Sequence, residues 1–107
     1  MKRYVVTFIT LVSLSFPALS DDAETNPLAR KIKKQLQSKV SGRFDGYHGY
    51  CDVMIEMEHK GSKARIKRVS GTGDKKVCQY VKSNLKLGKR FRYQFPEKYI
   101  RLHISTG

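Results

Sequence analysis

Apolar residues recur every four positions between residues 27 and 42, and this spacing predicts the first helix. The stripe consists of Leu28, Ile32, Leu36 and Val40. Asn26 is a favourable N-cap, Pro27 suits the first helical position, and Gly42 is a reasonable stop. A stripe of this kind is typical of a helix that packs on a sheet, although a basic amphipathic helix can also lie on a membrane surface.

Alternation of apolar and polar residues predicts a half-buried strand over residues 51–58, and only Met54 interrupts the pattern. Lys60-Gly61-Ser62 predicts a hairpin turn, after which residues 63–70 return as a second strand. The hairpin places basic side chains opposite acidic ones. The expected cross-strand partners are Arg65, Lys67 and Arg68 on one side and Glu56 and Glu58 on the other.

The second half of the chain repeats these signals. Gly71-Thr72-Gly73 interrupts the strand and Asp74 is an N-cap for a second helix, which we expect to end at Gly88. Its apolar positions are Val77, Cys78, Val81 and Leu85. Alternation over residues 100–104 predicts a last strand, so the expected fold is α+β: a small three-stranded antiparallel sheet with helices on one face, in the order α-β-β-α-β.

Residues 1–20 have the pattern of a cleavable signal peptide, with basic Lys2 and Arg3 followed by an apolar stretch over residues 4–16. That stretch is shorter than the ~20 residues that span a bilayer, so an uncleaved anchor is the less favoured alternative. The expected division is a signal peptide (1–20), an acidic tail (21–26) and one folded domain (27–107). We therefore expect an exported protein whose mature form has no transmembrane segment.

Cys51 and Cys78 are the only cysteines, and an exported chain holds such a pair most naturally as one disulfide. His48 and Cys51 have a spacing that a metal site uses, but a disulfide is the better use of the cysteine. His59 and His103 are isolated and are expected on exposed strand positions. No arrangement typical of an active site is recognisable, so we expect a protein that is not an enzyme and needs no cofactor.

The chain carries a formal net charge of +13, and loss of Lys2 and Arg3 would leave 20 basic against nine acidic residues, or +11. Such a charge attracts anionic partners, including nucleic acid, lipopolysaccharide and acidic protein surfaces. The candidate binding residues are Lys89, Arg90, Phe91, Arg92, Tyr93 and Phe95. Their alternation places aromatic rings on one side for stacking or for a protein interface, unless the rings complete the core beneath an edge strand.

Several of these residues together resemble a known family. The matching positions are Tyr47-His48-Gly49-Tyr50-Cys51, Gly61, Gly71-Thr72-Gly73-Asp74 and Cys78. Over residues 28–87 the chain is similar to the C-terminal domain of TolA, the periplasm-spanning protein of the Tol-Pal envelope system. The resemblance implies a Cys51–Cys78 disulfide, a TolA/TonB-like α+β fold and a free sheet edge that recruits partners by strand addition.

The expectation is a non-enzymatic periplasmic interaction module that binds Tol-Pal, phage coat or colicin-like proteins as an adaptor or as a competitor. The chain departs from TolA in lacking its anchor and helical stalk, and residues 89–95 replace its third helix. A polyanion-binding protein, acting in DNA uptake, in conjugation or on lipopolysaccharide, is the alternative. A periplasmic immunity protein or enzyme inhibitor is a third candidate.

Overall fold

The computed structural model describes residues 21–106, and the predicted signal peptide lies outside them. A short 3-10 turn at Asp22–Glu24 precedes the regular elements. These are α1 (Pro27–Arg43), β1 (Tyr50–Lys60), β2 (Lys63–Gly73), α2 (Lys75–Ser83), β3 (Arg90–Arg92) and β4 (Tyr99–Ser105). Within residues 21–106 no helix has the length and apolarity to cross a membrane.

The sheet has four antiparallel strands in the order β3-β2-β1-β4, so the expected α+β class is confirmed and the count of three strands is wrong. The additional strand is β3, which pairs with Lys63–Arg65 of β2. Phe91 holds β3 in place because its ring is buried opposite Ala64. β3 lies within the alternating segment 89–95, for which the sequence left a binding surface and an edge strand as alternatives.

Both helices pack on one face of the sheet, as expected. The predicted stripe of α1 is buried from Leu28 to Val40, and the Asn26 side chain accepts hydrogen bonds from the N–H groups of Leu28 and Ala29. The helix ends at Arg43, one residue beyond Gly42. The other surface of the sheet is not covered by a helix within the described residues, and we call it the open face.

The second helix begins as predicted but ends earlier. Asp74 accepts a hydrogen bond from the Val77 N–H at 3.0 Å, whereas α2 stops at Ser83 and not at Gly88. The Asn84 side chain donates to the Tyr80 carbonyl at 2.9 Å, and such a local bond competes with continuation of the helix. Leu85 is still buried, because the chain folds back in a turn after α2.

The β1–β2 hairpin turns at the predicted place, through a two-residue connection with Gly61 at a φ of 62°. Its cross-strand ion pairs are also confirmed: Arg65 lies 2.7 Å from Glu58, and Arg68 lies 2.9 Å from Glu56. A bulge between Glu56 and Met57 shifts the register of β2. Because of that shift, Ile66 in the first half of β2 and Val69 in the second half both face the core, although they are three residues apart.

The Cys51–Cys78 disulfide is present and joins β1 to α2. Cys51 is fully buried, and Gly71 of β2 lies directly against the bond. A β-carbon at position 71 would be 2.8 Å from the Cys51 Sγ atom and 3.2 Å from the Cys78 Sγ atom. A glycine is therefore required at this position for β2 to pass beneath the bridge.

Candidate strand-pairing edge

The sheet has two outer edges, and they differ in what covers them. One edge is β4 along its whole length. The other consists of β3 and, beyond it, the second half of β2, because β3 pairs only with Lys63–Arg65. An uncovered strand edge presents unpaired N–H and C=O groups to any extended segment that approaches it.

The β4 edge is closed by side chains. The outward N–H of Arg101 donates to Asp22 Oδ2 at 2.8 Å, and that of His103 donates to Asp21 Oδ2 at 3.3 Å. The Ser105 N–H donates to Gln37 Oε1 at 3.3 Å, and the Gln37 amide donates in turn to the Ser105 carbonyl. Three successive outward N–H groups of β4 thus have partners that a neighbouring strand would otherwise supply.

The acidic residues expected to form a tail are consequently an ordered part of the domain. We call residues 21–24 the acidic strap. Ala23 of the strap is buried, and Asp21 forms an ion pair with Lys33 of α1. Burial alone would raise the pKa of Asp21, but the hydrogen bond from Lys33 and those from two backbone N–H groups outweigh it and lower the pKa.

The second half of β2 has no such cover. Ile66 exchanges backbone hydrogen bonds with Gly88 and Lys89, and the chain leaves the edge there. The Asp74 N–H donates to Tyr50 O on β1, so the alternation of an antiparallel strand turns the N–H groups of residues 69, 71 and 73 outward. Within residues 21–106 these three groups have no hydrogen-bond partner, and we call residues 69–73 the open edge.

The far end of the open edge is rigidly anchored. The Tyr47 hydroxyl donates to Asp74 Oδ2 at 2.6 Å, and this hydrogen bond lowers the pKa of Asp74 and raises that of Tyr47. Gly73 has a φ of 134°, and a β-carbon there would be 2.5 Å from the Tyr50 carbonyl oxygen. Tyr47, Gly49, Gly71, Gly73 and Asp74 therefore meet at one place, beside the disulfide.

The candidate residues 89–95 are not brought together as one aromatic surface. Phe91 is buried in the core, whereas Phe95 is 47% exposed. Tyr93 is half-buried; its hydroxyl donates to the Gly61 carbonyl at 2.8 Å, and its ring packs on His59. Lys89 lies over the Phe91 ring at 5.3 Å. Arg90 and Arg92 alone of this set project from β3 on either side of the buried Phe91.

The strand register places those two arginines beside basic residues that the sequence interpretation did not include. Arg92 lies opposite Lys63, which lies opposite Lys60, and Arg90 lies opposite Arg65. We call Lys60, Lys63, Arg65, Arg90 and Arg92 the basic corner. Four of them, with Glu58 and His59, line a depression of about 670 Å³. Only the register reveals this cluster, since its members lie on three strands.

The histidines form no common site. Across residues 21–106 no three His, Cys, Asp or Glu side chains lie close enough to hold a metal ion. His103 is exposed, with Nδ1 2.6 Å from Asp52 Oδ1, whereas His59 is half-buried against Tyr93.

Comparisons of the chain with protein-family models, with curated proteins and with solved structures each find no match.

Proposed function

We propose that this protein is a non-enzymatic interaction module that binds an extended segment of a protein partner by strand addition. The open edge carries the proposal. Residues 69–73 offer three outward N–H groups without partners among residues 21–106, next to the short strand β3. Main-chain hydrogen bonds supply affinity in this binding mode, and side-chain contacts supply specificity.

The contrast between the two edges supports this proposal. Exposed strand edges promote aggregation, and folded proteins usually block them. Here the acidic strap and Gln37 block β4 from Arg101 to Ser105, while the second half of β2 has no corresponding cover among the described residues. Strand addition requires an exposed edge, and protection of the β4 edge directs such pairing to the open edge.

Rigidity of the open edge also favours binding. Gly71 is held beneath the disulfide, and Asp74 at the end of the edge is hydrogen-bonded to Tyr47 and caps α2. A strand that is already in its bound conformation loses little conformational entropy when a partner pairs with it.

The TolA-like motif favours partners in the bacterial envelope. We propose export to the periplasm with removal of residues 1–20, and a partner among Tol-Pal, phage coat or colicin-like proteins. We propose that the module acts as an adaptor or as a competitor for a TolA partner.

The experiment is capture from a bacterial periplasmic extract, followed by amide hydrogen exchange of the purified complex. We expect slower exchange at residues 69, 71 and 73, where a partner strand would pair. The internal control is the β4 edge, whose N–H groups at 101 and 103 are already bonded and should not change. Protection at β4 or at the helices alone would refute pairing at the open edge. Capture without any Tol, phage or colicin-like component would refute the proposed partner class.

A further inference from the structure

We propose that the partner segment carries an acidic stretch at the end that reaches β3, and that this stretch binds the basic corner. The inference rests on the proposed strand addition and specifies the chemistry of the partner. It follows from the unbalanced charges of the corner and from the path that a paired segment must take.

The charges of the basic corner are not balanced within the described part of the sheet. Arg92, Lys63 and Lys60 form one row across three strands, and no acidic residue stands in it. Directly opposed like charges destabilise a pair of antiparallel strands. The adjacent row, Arg90–Arg65–Glu58, holds two cations and one anion.

Elsewhere on the open face the sheet pairs opposite charges across its strands. Arg68 is bonded to Glu56 at 2.9 Å, and the His103 ring nitrogen lies 2.6 Å from Asp52. The acidic residues of these rows are Asp52, Glu56 and Glu58, and all three belong to β1. β3 lies at the outside of the sheet, so an anion for its arginines has to come from another molecule or from another segment.

The path of a bound segment leads to this corner. A segment that pairs with the open edge is in line with β3, and the backbone of Gly88 and Lys89 occupies the edge from Ile66 onward. The segment must therefore leave the sheet near residue 68. On the helix-covered side the segment would meet the loop between α2 and β3, which is hydrogen-bonded to Ile66 and buries Leu85. Departure over the open face brings the segment across Arg65, Arg90 and Lys63.

The dimensions fit a short acidic stretch. Neighbouring strands are about 4.8 Å apart, so a row of three side chains extends over roughly 10 Å. Three or four extended residues cover that distance at about 3.3 Å each. The acidic stretch is C-terminal to the paired residues if the partner strand is antiparallel to β2, and N-terminal if it is parallel.

The test is selection of binders from an unbiased library of displayed peptides of about 12 residues, long enough for a paired strand and a flank. We expect enriched peptides to combine an alternating strand-like segment with an acidic run on one side. Replacement of that run by glutamine in a selected peptide should weaken binding about three- to tenfold, with a clear dependence on salt.

The matched variants are Lys63→Glu and Lys34→Glu, which change the net charge equally. Lys63 lies between Arg92 and Lys60, so its reversal replaces two like-charge pairs by two opposite-charge pairs and should raise the denaturation midpoint of the fold. We expect Lys63→Glu to abolish the advantage of the acidic over the glutamine peptide. Lys34 is exposed on α1, and its reversal should leave that advantage within twofold.

The possible failures are distinguishable. Strand-like binders without an acidic run, or an equal loss in both variants, would overturn the acidic flank and leave strand addition intact. Acidic binders without a strand-like segment, or equal competition by DNA or lipopolysaccharide, would identify the corner as a polyanion site and overturn the proposal. Absence of any enriched strand-like peptide would count against strand addition itself, and with it against the acidic flank.

Discussion

Replacement of both Cys51 and Cys78 by alanine should remove a large share of the stability of this domain. The bridge joins positions 27 residues apart. The loop-entropy relation gives about 3.5 kcal/mol for a loop of this length at 25 °C. Small domains have total unfolding free energies of about 5–15 kcal/mol, so this loss is a substantial fraction. For a domain of this size it corresponds to a decrease in Tm of roughly 15–25 °C.

The assay is urea and thermal unfolding followed by circular dichroism, on the chain beginning at Asp21. The oxidised protein, the same protein with its disulfide reduced, and the double alanine variant are compared. We expect the last two to have similar midpoints, well below that of the oxidised protein, with a larger m-value because the unfolded chain expands. A double variant within about 1 kcal/mol of the oxidised protein would show that packing of α2 on β1, and not the bridge, holds these elements together.

Three further substitutions, one of them with a matched control at Gly42, test the packing and hydrogen bonds around the two edges. Gly71→Ala should destabilise the fold by about 1–3 kcal/mol, because its β-carbon would overlap a disulfide sulfur; Gly42→Ala, where nothing lies within 4 Å, should instead stabilise α1 by about 0.5–1 kcal/mol. Urea titrations of the pair check both signs, and equal effects would contradict the contact. Asp74 has a folded pKa below its unfolded value, so its contribution to stability is complete above pH about 4 and disappears as the pH falls through the folded pKa. Asp74→Asn should therefore lower the midpoint at neutral pH, and the difference should vanish in acid; a difference independent of pH would refute this assignment. Asp22→Ala should speed hydrogen exchange at the Arg101 amide and promote self-association through β4, whereas unchanged exchange and a monomer in sedimentation would show that the strap does not protect that edge.

Local sequence signals predicted most of the fold. Each of the correctly predicted features depends on residues that are close together in the sequence. These features are the α1 stripe, the Asn26 and Asp74 caps, the Gly61 hairpin turn and the alternation of β4. The disulfide was predicted from the number of cysteines and the expected compartment, and the structure confirms it. Neighbouring residues are sufficient to specify these features, because propensity and hydrophobic period act over short distances.

The candidate site was only partly predictable, since its properties arise from contacts between distant residues. Arg90 and Arg92 were identified from a basic-aromatic segment, but Lys63 joins them only through the register of β3 on β2. Closure of the β4 edge by Asp21 and Asp22 joins positions about 80 residues apart. No periodicity in the sequence reports such pairings.

The sequence by itself thus determined which segments form helices and strands, where the disulfide forms and how basic the chain is. Tertiary structure alone decided which strand edge is covered, which remains open and which cations become neighbours. The physical reason is that hydrogen bonds of an edge strand and charges on a sheet face are satisfied across the sheet and not along the chain. Their partners depend on strand order and register, which form only when the whole domain has folded.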